Sequence, residues 1–485
     1  HKREMRLVLD LVVNHTSDEH PWFEEARKSR HNPYYNYYHW WPAEKGEPPL
    51  RLSYFDEEGN AWTYNKPTDS YYLHYFSRKQ PDLNWENPEV RQEIFDMMRF
   101  WFDKGIDGFR MDSISLIAKD PSFPLIDSKK YPDIFSFYAK EPRLHLYLHE
   151  MNRQVLSKYD CMSVGEGSAV MVDDVAKFVD PAREELNMLY HFDAARIRNT
   201  TLPDNPESGI DYSLIALKKM FTEWDKAVDK GWPSIYLGNH DQPRMVSRFG
   251  SDKDEFRALS AKMLITFLLT MRGTPYWFAG DEIGMRNIRF DRIEDYNDID
   301  TINRYKKAKA EGKDPQAVLD EQKETGRDNA RTPFQWDRSP EAGFTAGTPW
   351  LKVNPDYTWI NVADEEKDPT SILNYFKKVV SFRKENPSLI YGSYHLLDAE
   401  NPQSYTFLRK TGADTYLIML NFSPKAAIST PGIDMSNAHV LLDNYGDRSH
   451  MAPQKDITLR PFEAIVFQLN HPVYESFIDS LDLLE

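Results

Sequence analysis

The sequence predicts an α/β fold, a (β/α)8 barrel of the TIM type, followed by an all-β C-terminal domain. Three observations lead to this prediction. Predicted strands and helices alternate along most of the chain, which is typical of a parallel sheet with helical crossovers. Polar residues follow the strands at their C-terminal ends, where such barrels build their functional sites. After residue 388 the pattern changes to short alternating runs separated by Gly, Pro, Asn and Asp.

The barrel elements are predicted from apolar runs and helical periodicity. Residues 6–13 form a Leu- and Val-rich run of the kind found in buried parallel strands. Asn87-Pro88-Glu89 opens a helix, because proline is favoured in a first turn, and Gly105 ends it. Further strands are predicted at residues 108–112, 162–166, 185–192, 234–241 and 275–281, and further helices at 144–156, 212–224 and 256–271.

Three other segments complete the barrel domain. Residues 16 to about 75 are rich in proline and aromatic residues with weak periodicity, which predicts a long functional loop or a small inserted subdomain. Residues 294–323 are predicted to be charged and helical, a solvated excursion after the last barrel strand, and residues 370–385 are predicted to form the closing helix.

The predicted domain boundaries follow from this pattern. A barrel domain is expected at residues 1–388, with the inserted subdomain at about 16–75. An antiparallel β-sandwich is expected at residues 389–485, where residues 415–421 and 457–468 alternate as strands do.

The composition excludes several classes of protein. The 485 residues carry a formal charge of −16, whereas nucleic-acid-binding proteins need a surplus of Lys and Arg, so no nucleic-acid partner is expected. No apolar run approaches the ~20 residues of a membrane helix, so no membrane partner is expected. The one cysteine, Cys161, excludes an intrachain disulfide. Phosphate-binding, dinucleotide-binding and Cys/His metal motifs are absent from the sequence, so neither a cofactor nor a metal is expected.

Aromatic residues make up 14% of the chain, and many cluster with polar residues at 34–41 and 71–76. Flat rings beside polar edges suit sugars, whose C–H faces stack while their hydroxyl groups form hydrogen bonds. A core built from Tyr and Phe explains the same composition equally well.

Five motifs lie at the C-terminal ends of predicted strands: Asp-Leu-Val-Val-Asn-His at 10–15, Gly-Phe-Arg-Met-Asp at 108–112, Val-Gly-Glu at 164–166, Leu-Gly-Asn-His-Asp at 237–241 and Gly-Asp-Glu-Ile-Gly at 280–284. On one face of a barrel they place Asp112, Glu166 and Asp241 around a common axis. A single carboxylate at a strand end is more often a helix cap or an ion-pair partner. The order and spacing of the set are specific.

These motifs resemble the signature blocks of the alpha-amylase superfamily of glycoside hydrolases. Within it, the chain is similar to the branch of alpha-glucosidases, oligo-1,6-glucosidases, trehalose-6-phosphate hydrolases and sucrose isomerases. Residues 72–76, 80–85 and 326–336 also match this branch. The resemblance covers essentially the whole chain, including the C-terminal domain.

The resemblance implies a retaining mechanism with two carboxylates. Asp112 resembles the nucleophile that forms a glucosyl-enzyme ester, and Glu166 the general acid that later activates water. Asp241 resembles the third carboxylate, which binds hydroxyl groups and favours the distorted transition state. Arg110 precedes Asp112 by two residues and so lies on the same strand face, where its charge favours the ionised carboxylate.

The substrate-binding residues are also carried over from the family. His15 and His240 resemble donors to the hydroxyl groups of the terminal glucose, although a histidine in such a place also serves to satisfy backbone groups. Arg331 resembles the arginine near the boundary with the leaving group, and the role of Arg327 stays open. Phe55 is expected to stack on sugar.

Two questions stay open at this point. Tyr54, Phe55 and Trp62 lie in the inserted segment, where core packing is as good an explanation as contact with sugar. Asp281 and Glu282 follow the last predicted strand, and they either line the leaving-group side or form a salt bridge within a loop.

The strand at residues 6–13 resembles the third strand of the family's barrel, although here it lies at the start of the chain. We therefore expect the first two strand-helix units to be missing and the inserted subdomain to follow strand three. A structural Ca²⁺ is found in the first barrel loop of some members, and that loop is expected to be absent too.

The activity expected is that of an exo-acting alpha-glucosidase on short oligosaccharides or sucrose. Ser113, after the nucleophile, favours α-1,4 bonds or sucrose, since members that act on α-1,6 bonds usually carry Val there. The charged loop of sucrose isomerases is replaced by Ala-Arg-Ile-Arg-Asn at 195–199, which favours water as the acceptor. The alternatives are a sucrose isomerase or transglucosidase, or a non-catalytic family member. A monomer in the cytoplasm is expected, with the periplasm as the alternative location.

Overall fold

The computed structural model describes residues 1–55, 59–131, 133–196, 213–412, 414–449, 451 and 454–469. The described chain divides into two compact units. The first contains the described residues of 1–192 and 226–233, and the second contains those of 193–225 and 234–469. No helix among the described residues is both long enough and apolar enough to span a lipid bilayer.

The first unit alternates strands and helices around a parallel sheet. Its elements are β1 (Val8–Val12), α1 (Pro21–Ala26), β2 (Trp40–Pro42), β3 (Trp62–Asn65), β4 (Ser70–Leu73), α2 (Pro88–Asp103), β5 (Gly108–Asp112), α3 (Phe135–Tyr138), α4 (Arg143–Gln154), β6 (Met162–Glu166), α5 (Ala176–Val179) and β7 (Met188–Tyr190). Strands β1, β5, β6 and β7 pair in that order, all in parallel. Neighbouring strands therefore end at the same edge of the sheet.

Helix α2 shows how the sequence sets one of these elements. The side chain of Asn87 accepts a hydrogen bond from the backbone N–H of Glu89, and Pro88 occupies the first turn. Val90, Ile94, Phe95, Met98 and Phe102 are buried along one side of the helix. Gly105 follows with φ of 98°, a conformation that L side chains rarely adopt.

The predicted insertion at 16–75 contains an antiparallel sheet in the order β2-β4-β3. Its core is small and largely aromatic, with Trp62, Leu73 and Tyr75 packed against Phe123 and Tyr138. The aromatic richness of this stretch therefore serves core packing for several of its rings.

The second unit begins with α6 (Asp193–Arg196), and its further elements follow in chain order. They are α7 (Leu214–Ala227), β8 (Ser234–Ile235), α8 (Met245–Phe249), α9 (Arg257–Thr270), β9 (Thr274–Pro275), α10 (Ile299–Ala310), α11 (Pro315–Thr325), α12 (Val362–Glu365), α13 (Ile372–Glu385), α14 (Ser388–Tyr391), β10 (Ser393–Leu397), β11 (Ser404–Thr411), β12 (Asp414–Asn421), β13 (Ala427–Ser429), β14 (His439–Asp443), β15 (Ile457–Leu459) and β16 (Ala464–Leu469). Strands β8 and β9 pair in parallel.

Three predicted strands are longer than the observed ones. The run at 185–192 forms only β7, because the N–H of Leu186 donates to the carbonyl of Phe178 instead of to a strand. The run at 234–241 is a strand only at Ser234–Ile235, and at its far end the N–H of Asp241 donates to the Asn239 side chain at 2.9 Å. The run at 275–281 gives way to a turn after β9.

The charged segment at 294–323, predicted to be helical, contains two helices, α10 and α11. Gly312 has φ of 70° and follows α10, and Pro315 cannot continue a helix that precedes it. The side chain of Asp314 accepts from the N–H of Gln316 and begins α11.

The C-terminal part forms the antiparallel sandwich that was predicted. Five strands pair in the order β10-β11-β12-β16-β14, and β13 pairs with β15. Leu417 and Phe467 of the large sheet share one apolar core with Ile457 and Leu459 of the small sheet. The predicted strand at 457–468 is interrupted near Phe462, whose φ is 49°. Residues 470–485 of the predicted domain lie outside the described residues.

Candidate active site

Asp112 and Glu166 end two neighbouring parallel strands, β5 and β6. Met111 pairs with Gly165, so the two carboxylates lie one residue beyond a paired position. The Asp112 side chain is 22% exposed and that of Glu166 is 8% exposed. One carboxylate is therefore open to a ligand, and the other is largely withdrawn from water.

A single guanidinium holds both carboxylates. Arg110 donates from Nη1 to Asp112 at 2.7 Å and from Nη2 to Glu166 at 2.5 Å. Asp10 on β1 accepts from the same Nη1 at 2.8 Å, and the hydroxyl of Tyr190 on β7 contacts Nε at 2.9 Å. Burial lowers the pKa of Arg110, but the charges around it, with Glu166 the largest, raise it overall. Arg110 therefore remains a cation that holds two acids together.

Glu166 has two further donors. The backbone N–H of Ser113 donates to its Oε2 at 3.1 Å, and the hydroxyl of Ser168 donates to its Oε1 at 2.9 Å. Ser113 has φ of 43°, an uncommon value for a residue with a side chain, and this turn aims its N–H at Glu166. Because Arg110 and Ser113 tie Glu166 to Asp112, the pair suits the ~5 Å separation of retaining glycosidases.

His15 follows β1 and is 8% exposed. Its Nε2 lies 3.1 Å from the side-chain nitrogen of Gln80, and its ring centroid lies 5.2 Å from that of Phe76. Burial lowers the pKa of His15, although the charges of Asp82 and Asp112 act in the opposite direction. His15 is thus a neutral imidazole near Asp112, which suits a hydrogen-bonding partner for a hydroxyl group.

A buried ion pair lies beneath His15. Lys119 and Asp82 are 3.0 Å apart, and both side chains are fully buried. Lys119 also donates to the side-chain oxygen of Asn14 at 2.6 Å, and Asp82 accepts from the backbone N–H of Tyr75 at 3.2 Å. Burial lowers the pKa of Lys119, and Asp82 opposes this change. Through Asn14, the pair holds the backbone that carries His15.

Replacing Lys119 with methionine is expected to cost about 3–5 kcal/mol of unfolding free energy, because Asp82 is then a buried charge without its counter-ion. The measurement is the urea midpoint, followed by far-UV circular dichroism. The matched control combines Lys119→Met with Asp82→Asn, which removes both charges and should recover part of the loss. A double variant no more stable than the single one would contradict this explanation.

The aromatic residues of the insertion divide into two groups. Trp62 is 5% exposed and lies edge-on to Phe123 at 4.9 Å, so it belongs to the core. Tyr54 stacks on Phe76 at 5.2 Å. Phe55 is half-buried and lies 5.8 Å from the same Phe76, whose ring contacts His15. Phe55 therefore lies near His15, a position that suits a residue at the edge of a sugar-binding surface.

In the second unit, two arginines bind Asp241. Arg327 contacts its Oδ1 at 3.1 Å, and Arg331 contacts the same oxygen at 3.0 Å. Arg331 also donates to the carbonyl of His240 at 2.8 Å, while the His240 ring lies 3.2 Å from Asp241. His240 is 52% exposed. The second unit thus gathers Asp241, His240 and Arg331 into one cluster, to which the structure adds Arg327.

Arg327 has a second acidic partner that the sequence analysis missed. Its other amino group forms an ion pair with Asp298, whose side chain is only 2% exposed. Burial lowers the pKa of Arg327, but Asp298 and Asp241 together raise it. No signal in the sequence singled out Asp298. Lys119 and Tyr190 were missed as well, although Asp82 lay within the quoted segment 80–85.

The motif at 280–284 serves its own loop. Asp281 is buried and forms an ion pair with buried Arg244 at 3.5 Å. Burial raises the pKa of Asp281 to about 7, although Arg244 acts against this rise. Glu282 accepts from the N–H of Gly280 at 2.8 Å and from the indole of Trp277 at 3.2 Å. Of the two alternatives, the structure favours a salt bridge, which Asp281 forms with Arg244 before α8.

Two further expectations concern ligands and acceptors. Within the described ranges, no group of three or more His, Cys, Asp or Glu side chains is placed to hold a metal ion. The segment at 195–199, expected to favour water as the acceptor, lies outside the described residues from 197 on, and the side chains of 195 and 196 are not described either.

Comparison with known proteins identifies the family. The catalytic domain of alpha amylase matches residues 1–392. An oligo-1,6-glucosidase of Parageobacillus thermoglucosidasius is 49% identical over 97% of this chain and 84% of its own length. One of Bacillus cereus is 45% identical over the same shares. An isomaltulose synthase of Klebsiella sp. LX3 superimposes with a TM-score of 0.91 at 38% identity, covering 97% of this chain and 84% of that one.

The comparisons confirm the predicted fold class, a TIM-type barrel with an antiparallel C-terminal domain. They give no support to the expectation that the first two strand-helix units are missing, because the family match begins at residue 1. The chain belongs to the alpha-amylase family of glycoside hydrolases.

Proposed function

We propose that the protein is a retaining, exo-acting alpha-glucosidase. It hydrolyses the terminal α-glucosyl bond at the non-reducing end of short oligosaccharides or sucrose. The observation that carries this proposal is the shared guanidinium of Arg110, which holds the adjacent carboxylates of Asp112 and Glu166. Carboxylates that bind two nitrogens of one guanidinium are compatible with the ~5 Å separation of retaining enzymes, which the double displacement requires.

The reaction proceeds by double displacement. Asp112 attacks the anomeric carbon while Glu166 gives its proton to the departing glycosidic oxygen. The ester formed on Asp112 is then cleaved by water, whose proton returns to Glu166. We assign Asp241 to the hydroxyl groups of the same glucose, with Arg327 and Arg331 keeping its carboxylate oriented. Acid, base and nucleophile are all protein side chains, so we propose that no cofactor takes part.

The binding residues support recognition of one glucose at its non-reducing end. His15 and His240 hydrogen-bond its hydroxyl groups, and Phe55 borders the sugar on the His15 side. Arg331 lies toward the leaving group. This arrangement is proposed from the family resemblance together with the contacts within each unit.

The linkage is decided by product analysis on maltose, isomaltose, sucrose and trehalose-6-phosphate. The names of the relatives favour α-1,6 bonds, whereas Ser113 favours α-1,4 bonds. Release of glucose with retained α-configuration from maltose or isomaltose supports the proposal. Inactivity on all four sugars would overturn it in favour of a non-catalytic family member.

The second candidate is a sucrose isomerase, which the likeness to an isomaltulose synthase favours. In that case the fructose released from sucrose attacks the glucosyl ester in place of water. Isomaltulose or trehalulose as the main product from sucrose would establish this candidate and exclude hydrolysis as the main activity.

We also propose that the protein acts on its sugar substrate as a monomer in the cytoplasm, without a nucleic-acid partner. The formal charge of −16 supports the last point. Light scattering after size-exclusion chromatography tests the monomer, and fractionation of the cells tests the location.

A further inference from the structure

The second unit contains a cavity of about 610 Å³, most of whose lining residues have no part in the mechanism above. His240 and Arg331 line one part of it, and the rings of Phe334, Phe344 and Trp350 line another. Its size falls in the range of about 300–1,000 Å³ that is usual for small-molecule sites. Because Arg331 also binds Asp241, the cavity is continuous with the Asp241 cluster.

Trp350 is exposed but held in place. Trp350 is 59% exposed, yet its indole N–H donates a hydrogen bond to the carbonyl of Arg331 at 2.8 Å. Its ring lies edge-on to Phe344 at 5.0 Å, and its carbonyl accepts from the Asn297 side chain at 3.0 Å. A large ring that is already ordered loses little entropy when a ligand stacks on it.

The charges around the cavity favour a neutral ligand. The guanidinium of Arg331 is engaged by Asp241 and by the carbonyl of His240. Arg244 is paired with Asp281 and also donates to the carbonyl of Ala279. These cations are already paired or hydrogen-bonded within the protein. They therefore add little to the affinity for a phosphate-bearing sugar, and a neutral sugar fits the cavity better.

The lining acid Asp328 is also engaged within the protein. Asp328 accepts from the backbone N–H groups of Asn297 and Asp298, at 2.6 and 2.8 Å. Flat rings together with engaged polar groups suit a neutral polyhydroxylated ring.

We propose that Trp350 is the stacking platform for the leaving-group sugars of substrates longer than a disaccharide. The inference rests on the proposed function, because the family resemblance places Arg331 at the boundary with the leaving group. Trp350 is hydrogen-bonded to that same Arg331. A sugar that stacks on its ring therefore lies beyond the first leaving-group sugar, away from the bond that is cleaved. The platform makes the enzyme prefer trisaccharides to disaccharides.

The test compares kcat/KM for matched pairs of substrates, isomaltose with isomaltotriose and maltose with maltotriose. In Trp350→Ala the ratio of kcat/KM for the trisaccharide to kcat/KM for the disaccharide is expected to fall about fivefold to tenfold. This fall corresponds to the loss of one aromatic contact of about 1 kcal/mol or slightly more. Trp350→Phe keeps a flat ring and should restore part of the ratio.

The matched control is Trp336→Ala. Trp336 is 51% exposed and packs on Phe334 at 4.5 Å, but it is not one of the described lining residues. The ratio should stay at the wild-type value in this variant. An unchanged ratio in Trp350→Ala, or an equal fall in Trp336→Ala, would overturn the proposal.

Failure of the proposed function has a different outcome. If the wild-type protein hydrolyses neither pair, titration calorimetry with isomaltotriose and maltotriose still tests the platform. Binding of either trisaccharide that is weakened at least fivefold by Trp350→Ala supports it, whereas equal binding by both proteins overturns it.

Discussion

Asp112→Asn should abolish turnover, with kcat/KM reduced by about 10⁴-fold or more. Asparagine has nearly the same shape but cannot form the glucosyl ester, so the loss should be equally severe for good and poor leaving groups. Initial rates on p-nitrophenyl α-glucoside and on the preferred disaccharide measure it.

Asp10→Asn is the matched control for this variant. Asp10 accepts from the same nitrogen of Arg110, at 2.8 Å against 2.7 Å for Asp112, but its side chain is 55% exposed and it has no proposed part in the chemistry. We expect a change of less than about tenfold, of the size that one exposed ion pair explains. If Asp10→Asn were as damaging as Asp112→Asn, the charge around Arg110, and not a nucleophile, would explain both losses.

Glu166→Gln should lower kcat/KM by about 10²–10⁴-fold on a disaccharide, the usual contribution of general acid catalysis. The loss should be much smaller on p-nitrophenyl α-glucoside, because p-nitrophenolate departs without being protonated. The pH–rate profile on the disaccharide should also lose its basic limb, since that limb reports the proton on Glu166.

Ser168→Ala provides the comparison for Glu166. It removes the hydrogen bond of 2.9 Å to the carboxylate but keeps the acid itself. A modest fall that does not depend on the leaving group is expected. Losses in Glu166→Gln that are equal for both leaving groups would argue against a general acid at this position.

The two largest effects concern residues that were predictable from the sequence. Asp112 and Glu166 each end a short, largely apolar run of five residues. Such a run predicts a strand from local sequence alone. Parallel neighbours end at one edge, so the closeness of the two acids follows from the fold class. The beginning and end of α2 were predictable for the same local reason.

Strand lengths and helix breaks were less predictable. The run at 234–241 was predicted as one strand, but only Ser234–Ile235 is a strand, and the Asn239 side chain accepts the N–H of Asp241 in a local turn at the other end. The helical segment predicted at 294–323 is divided into two helices by Gly312 and Pro315, and its charged periodicity does not show that break.

By itself, the sequence determined the family and the alternation of strands and helices, and it predicted the three acids with their neighbouring arginine and histidines as the site. Only the tertiary structure decided which residues support them. Lys119 lies 105 positions from the Asn14 that it binds, and Arg327, which follows α11, pairs with Asp298, which precedes α10. An ion pair depends on where two charges meet in space and on how little water reaches them, and no local pattern along the chain carries either quantity.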